Sequence, residues 1–215
     1  MGGALRGASI GLAVCFLATA CGGGEEPEPE RVTAAEQCDG TLSPVAARAL
    51  TRVLGTQNFD DAPTGGLERV GGELTADHAA TEGRTPRRSL CRASPAVNSD
   101  AITVAFRLFR DVDLPGDQRA ADMHPYDMGV AALSGPRRAD LYVRCVSPRF
   151  QGSDKRPARI KGQLDFLKSE LPDTVPVREA NLTVLHSVTL AMARELGCED
   201  DAGLDEEPVF EALPE

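Results

Sequence analysis

The sequence predicts an α+β domain, an antiparallel sheet covered by a long C-terminal helix and braced by two disulfides. Three observations predict it. Apolar and polar residues alternate over 101–109, 140–146 and 158–166; a helical period runs over 178–196; and Cys38, Cys91, Cys145 and Cys198 are spread through the body of the chain. Alternation with period two marks half-buried strands, while apolar residues three and four apart mark one face of a helix.

Along the chain, residues 1–20 come first. A short start with one cation, Arg6, leads into the uncharged run ASIGLAVCFLATA, the layout of an export signal. That run is shorter than the roughly 20 residues a spanning helix needs, so a retained membrane helix is the weaker reading. Residues 21–36 follow as a tether, because GGGEEPEPE has no apolar side chain to bury and cannot offset the entropy of ordering. The domain proper is expected over 37–198, and 199–215 as an acidic disordered tail.

Within the domain, Ser43 is a good N-cap, Pro44 suits the first helical position and Gly55 is a natural stop, which predicts a helix from Pro44 to Leu54. Residues 58–90 are Gly-rich and polar, with weak strand signals around Leu67 to Thr75. The clearest strand is Ala101 to Phe109, where Ile102, Val104, Phe106 and Leu108 share a face. Leu141, Val143 and Cys145 define a second strand. Ala158 to Phe166 sets Ile160, Leu164 and Phe166 opposite Arg159, Lys161, Gln163 and Asp165 and reads as a third, although Ile160, Leu164, Leu167 and Leu171 also suit a helix. Leu182, Leu185, Val188, Met192 and Leu196 give the long helix over the sheet, stopped by Gly197.

Composition limits what such a domain can bind. Of its 215 residues 41 % are hydrophobic but only 4 % aromatic, with no Trp, so the core is aliphatic. The net charge of −10 sits at the ends: twelve of the 33 acids and one of the 23 bases lie in 1–30 and 199–215, leaving 22 bases against 21 acids between them. A nearly neutral body lacks the basic footprint of phosphate-backbone binding, so nucleic acid is not an expected partner.

Leu17-Ala18-Thr19-Ala20-Cys21 resembles the lipobox of bacterial lipoproteins. The resemblance implies cleavage before Cys21, a diacylglyceryl thioether on its sulfur, and residence on the extracytoplasmic face of the cell membrane. More than one acyl chain gives durable anchoring. With the runs CDGTLSPVAARAL and REANLTVLHSVTLAMARELGCED, the chain is similar to uncharacterised secreted lipoproteins of actinobacteria, a family with no activity to transfer.

Export places the four body cysteines in an oxidising compartment, where an even set reads as two disulfides. Three connectivities exist. Cys38 to Cys91 with Cys145 to Cys198 is favoured, because the two spans are similar and the second joins a core-facing strand position to the end of the covering helix. Structural zinc needs closer ligand pairs.

Chemistry-bearing residues are few. Asp122-Met-His124-Pro-Tyr-Asp127 gathers two carboxylates, an imidazole and a phenol and could ligate a metal or move protons, while Pro125 and Gly129 equally suit a polar surface loop. His186 lies on the long helix, where a partly buried, hydrogen-bonded role is expected; His78 lies in a loop. No nucleophile elbow, zincin motif or phosphate loop is present, and no cofactor is implied. The expected function is a membrane-anchored binding or interaction module for a cell-envelope protein or polymer, the alternative an extracytoplasmic hydrolase or metal-binding protein using Asp122, His124 and Asp127.

Overall fold

The computed structural model describes residues 32–60, 64–80, 85–96, 100–116, 120–168, 171–211 and 213. The export signal, Cys21 and most of the tether lie outside the described residues. In chain order the elements are the short turn α1 (Gln37–Gly40), α2 (Pro44–Leu54), α3 (Gly66–Ala80), β1 (Arg88–Ala93), β2 (Ile102–Leu108), β3 (His124–Tyr126), β4 (Ala131–Ser134), β5 (Arg138–Cys145), β6 (Ala158–Phe166) and α4 (Val175–Leu196). The strands form one six-stranded sheet in the order β1-β2-β6-β5-β4-β3, every neighbouring pair antiparallel.

α2 forms for local reasons. The Ser43 hydroxyl accepts from the Ala46 amide, Pro44 opens the first turn, and Gly55 ends it at φ +64°. α4 ends in the same manner: Gly197 stands at φ +65°, and the amides of Gly197 and Cys198 donate to the carbonyls of Arg194 and Ala193.

α4 lies across the face that carries Phe106, Leu141, Ile160 and Leu164, as its apolar period predicts. It is also covered on its far side by α2 and α3, so every residue from 180 to 190 is buried. Several of its polar residues are paired: Thr183 and Thr189 donate to carbonyls one turn back, and Ser187 donates to the Thr41 carbonyl while accepting from the Ser43 amide at 2.9 Å. The molecule thus has three layers, with α4 in the middle one.

Both expected disulfides are present, Cys38–Cys91 and Cys145–Cys198, each with Cα atoms 5.0 Å apart and a sequence separation of 53. The first ties α1 to β1, and the second ties the end of β5 to the residue after α4.

Four expectations are corrected. Residues 64–80 hold α3 instead of weak strand, because the Asp39 carboxylate accepts from the Leu67 amide at the helix start and Val70 and Leu74 are buried. Its glycines permit close approach: a Cβ on Gly66 would sit 2.5 Å from the Leu90 carbonyl oxygen. His78 accordingly lies on a helix, its ring edge-on to Phe150.

The fold begins earlier than residue 37, since Val32 exchanges two backbone hydrogen bonds with Phe59 and Ala34 is buried. Residues 199–211 and 213 are folded against the body instead of forming a disordered tail. Asp200, Asp201 and Ala202 are all left-handed, Leu204 is buried, and Arg194 pairs with Asp201 and Glu206. Finally, Asp122 to Asp127 is a loop only in part, because His124–Tyr126 forms edge strand β3.

Candidate functional site

The six-residue run singled out in the sequence does not converge. On β3, His124 and Tyr126 point to the face that carries α4, and Asp122 and Asp127 are exposed. His124 Nε2 lies 3.1 Å from Asp173 Oδ2, just before α4, and Asp173 Oδ1 is 2.6 Å from Arg178 Nη1. Arg178 Nε reaches Tyr126 Oη at 3.4 Å, while the Arg178 carbonyl accepts from Ser134. Partial burial pushes the Asp173 carboxyl up, but its bonds from Arg178 and His124 outweigh that and hold it below its ordinary value. Asp127 enters the fold through its backbone, donating its amide to the Glu211 carbonyl at 2.9 Å. Among the described residues no three His, Cys, Asp or Glu side chains are placed to hold a metal ion.

A second polar cluster lies on the opposite, open face of the sheet. Asp140, Tyr142 and Arg144 of β5 face Gln163, Lys161 and Arg159 of β6 in register. Lys161 Nζ sits 3.0 Å from Asp140 Oδ2 and 4.8 Å from the centroid of the Tyr142 ring, with the lysine side chain 3 % exposed. Arg138 closes on the other side of Asp140 with two contacts of 3.0 Å. Burial pushes the Lys161 ammonium down to about 8, against the opposing pull of Asp140, and burial together with the Asp140 charge pushes Tyr142 up to about 12.

Residues 109–113 cover the part of this face around Tyr142 and Arg159. Phe109 packs edge-on against Tyr142 with ring centroids 5.1 Å apart, and Asp111 meets Arg159 at 2.6 Å and Arg144 at 3.9 Å. The Lys161 amine is an ion-pair partner of Asp140.

Cations outnumber the carboxylates they draw on. Arg87, Arg138, Arg144, Arg159 and Lys161 share Asp111, Asp140 and Asp165, five positive groups on three negative ones. Arg144 and Arg159 stand directly opposite each other in the ladder, a pairing that like charges disfavour. The side chains of Arg87, Arg138 and Arg144 are between 42 % and 51 % exposed.

Sequence reasoning placed Lys161 among outward residues and gave it no role. The signal was its rarity, since it is one of three lysines beside twenty arginines, at the centre of a strand. His186 is buried as expected; burial pushes its imidazole down, and the Asp205 and Glu206 charges and the Asp205 backbone oppose that.

The fold and this surface define a disulfide-braced α+β domain with one helix-covered face and one arginine-bearing face. No family model, curated protein or solved structure matches the chain.

Proposed function

We propose that the chain is a lipid-anchored, extracytoplasmic binding module whose open sheet face meets an anionic component of the cell envelope. The observation that carries the reading is the surplus of cations over carboxylates among the described residues of that face, with three arginine side chains about half exposed. Arginine forks are suited to planar carboxylate and phosphate groups. The anchoring half rests on the small residues before Cys21, with the acidic tether after it and two disulfides that suit an oxidising compartment. The hydrolase or metal-site alternative at Asp122, His124 and Asp127 has weaker support, because His124 is engaged by Asp173 and no three His, Cys, Asp or Glu side chains among the described residues are placed to hold a metal ion.

Two measurements test the reading. Intact mass of the membrane-extracted chain is expected to show a new amino terminus at Cys21 carrying acyl mass; an unacylated Cys21 would refute the anchor. The Cys21→Ala chain, released from the membrane, is expected to sediment with isolated envelopes in low salt and to lose that binding on substitution of Arg87 and Arg144 by Glu. Binding that ignores both substitutions, and ignores salt at Debye lengths of about 3 Å, would refute the cationic face.

A further inference from the structure

We infer that the cavity where the end of α3 meets β6 and the loop before it is a binding site for a small organic anion, a carboxylate or phosphate head on an apolar body. The inference holds for the domain wherever it resides, and of the cationic face it uses only Arg159.

The cavity has a volume of about 410 Å³, inside the range of small-molecule sites. Its lining divides by chemistry. Leu108, which ends β2, Phe109 after it, and Ala158, which opens β6, are buried and form an apolar floor. Beside this floor stand His78 near the end of α3, Arg156 and Arg159. Among the described residues of the lining there is no Asp or Glu, in contrast to the cavity beside His186, which Asp127, Asp205, Glu207 and Glu211 line. Guanidinium forks match the oxygens of a carboxylate or phosphate, and an apolar body would take the floor out of water.

The charge of Arg159 is only partly offset. Its partner Asp111, at 2.6 Å, is shared with Arg144 at 3.9 Å, and the two arginines stand opposite each other in the ladder. A bound anion would relieve that like-charge pairing.

The walls are set in advance. The Phe109 amide donates to the Arg159 carbonyl at 3.0 Å, which carries the β2–β6 pairing up to the cavity. The loop bearing Gln151 and Arg156 is tied by the Ser153 hydroxyl, which accepts from the Ser147 amide and donates to the Ser147 carbonyl, and by the Arg156 amide on the Gly152 carbonyl at 3.1 Å. The His78 ring stands edge-on to buried Phe150, its Nε2 3.4 Å from the Gln151 carbonyl oxygen, so α3 and the loop meet beside the cavity. A site whose walls are fixed before the ligand arrives loses less freedom on binding.

The test titrates phenyl phosphate, an oxyanion on a ring, into the whole oxidised chain at about pH 7.5, where phosphate carries close to two charges, and follows backbone amide shifts by NMR. Saturable shifts are expected at His78, Ala79, Arg156 and Arg159, with a millimolar or tighter Kd. Inorganic phosphate, which lacks the body, and phenol, which lacks the head, are each expected to bind at least about tenfold more weakly. Arg156→Gln is expected to weaken phenyl phosphate about tenfold, with Arg156→Lys falling between the two because it keeps the charge and loses the fork. Ala80→Glu adds a carboxylate at an exposed position of the lining, where folding is not at stake, and is expected to weaken binding at least as much, while Arg92→Gln on β1 leaves it unchanged. Shifts that do not saturate by about 20 mM, inorganic phosphate bound as tightly as phenyl phosphate, or binding that Ala80→Glu leaves unchanged would overturn the inference.

Discussion

Replacing Asp140 by Asn removes the carboxylate that bridges to the Lys161 ammonium, and the cost is bounded by the lysine's ability to shed its proton. In the native fold Lys161 is held down to about 8 from an ordinary 10.5. Without Asp140, burial and the Arg138 and Arg107 charges act unopposed, and the amine is expected to be neutral at pH 7. Each pH unit of enforced neutrality costs about 1.4 kcal/mol, and the native protein already carries most of that penalty. The part of the difference carried by Lys161 is therefore only about 1 kcal/mol at pH 7, about 3 kcal/mol at pH 6, and near zero at pH 10, where the amine is neutral in both; loss of the two Arg138 contacts adds a part that does not vary over this range.

The sign follows from the lowered value: the unfolded chain binds the extra proton, so the variant loses ground as pH falls. Urea unfolding of both chains with the disulfides intact, at pH 6, 7 and 10, reads the difference directly. Repeating the substitution in a Lys161→Met background should remove the pH-dependent part. A destabilisation that is the same at all three pH values, or a pH dependence that persists in the Met background, would refute the account of Lys161 as a charged group held by Asp140.

Other outcomes follow from the same structure. The lowered value of His186 means that its neutral form is favoured on folding, so stability is retained above about pH 6.5 and is lost as pH falls below it. His186→Gln is expected to flatten that decline in urea midpoints between pH 7.5 and 5. Substituting Ser for both Cys145 and Cys198 is expected to lower unfolding free energy by about 4 kcal/mol, as closing a loop of this length implies, in chemical denaturation of the oxidised pair of proteins. Gly162→Ala is expected to cost roughly 1–3 kcal/mol, because its Cβ would stand 2.9 Å from Thr189 Oγ1 and 3.0 Å from the Phe106 ring, where β6 meets α4. A Tm unchanged by that substitution would mean that sheet and helix are further apart than described.

What was legible in the sequence was whatever is decided locally. Ser43, Pro44 and Gly55 specify α2 without help from elsewhere, and the alternation of β2, β5 and β6 needs only one buried face. α3 was hidden because Gly66 and Gly71 lower helix propensity while serving contacts with Leu90 and Glu195 that only the folded chain provides. β1 was hidden by the register shift between Ser89 and Cys91, which breaks its alternation, and β3 and β4 by their shortness.

The same division holds for the surfaces. Nothing near Lys161 in sequence announces that residues 109–113 cross over it, and nothing in the acidic run after Glu199 announces that Arg194 holds it. Charge counting alone therefore read a folded segment as solvated. The disulfide pairing was legible because the two spans are similar and because Cys145 lies on a recognisable strand and Cys198 just past a recognisable helix.

The two bridges also decide how the domain bears load. Tension entering at Val32 and leaving near the far end of the chain runs through covalent shortcuts, from Cys38 to Cys91 and from Cys145 to Cys198. Residues 39–90 and 146–197, which contain α2, α3, α4 and the central strand β6, lie outside that path. At full extension each shortcut withholds about 180 Å of slack. A domain held at one end and pulled by whatever it grips can thus lengthen only through the stretch from β1 to β5, with its helices and its middle strand left under no strain.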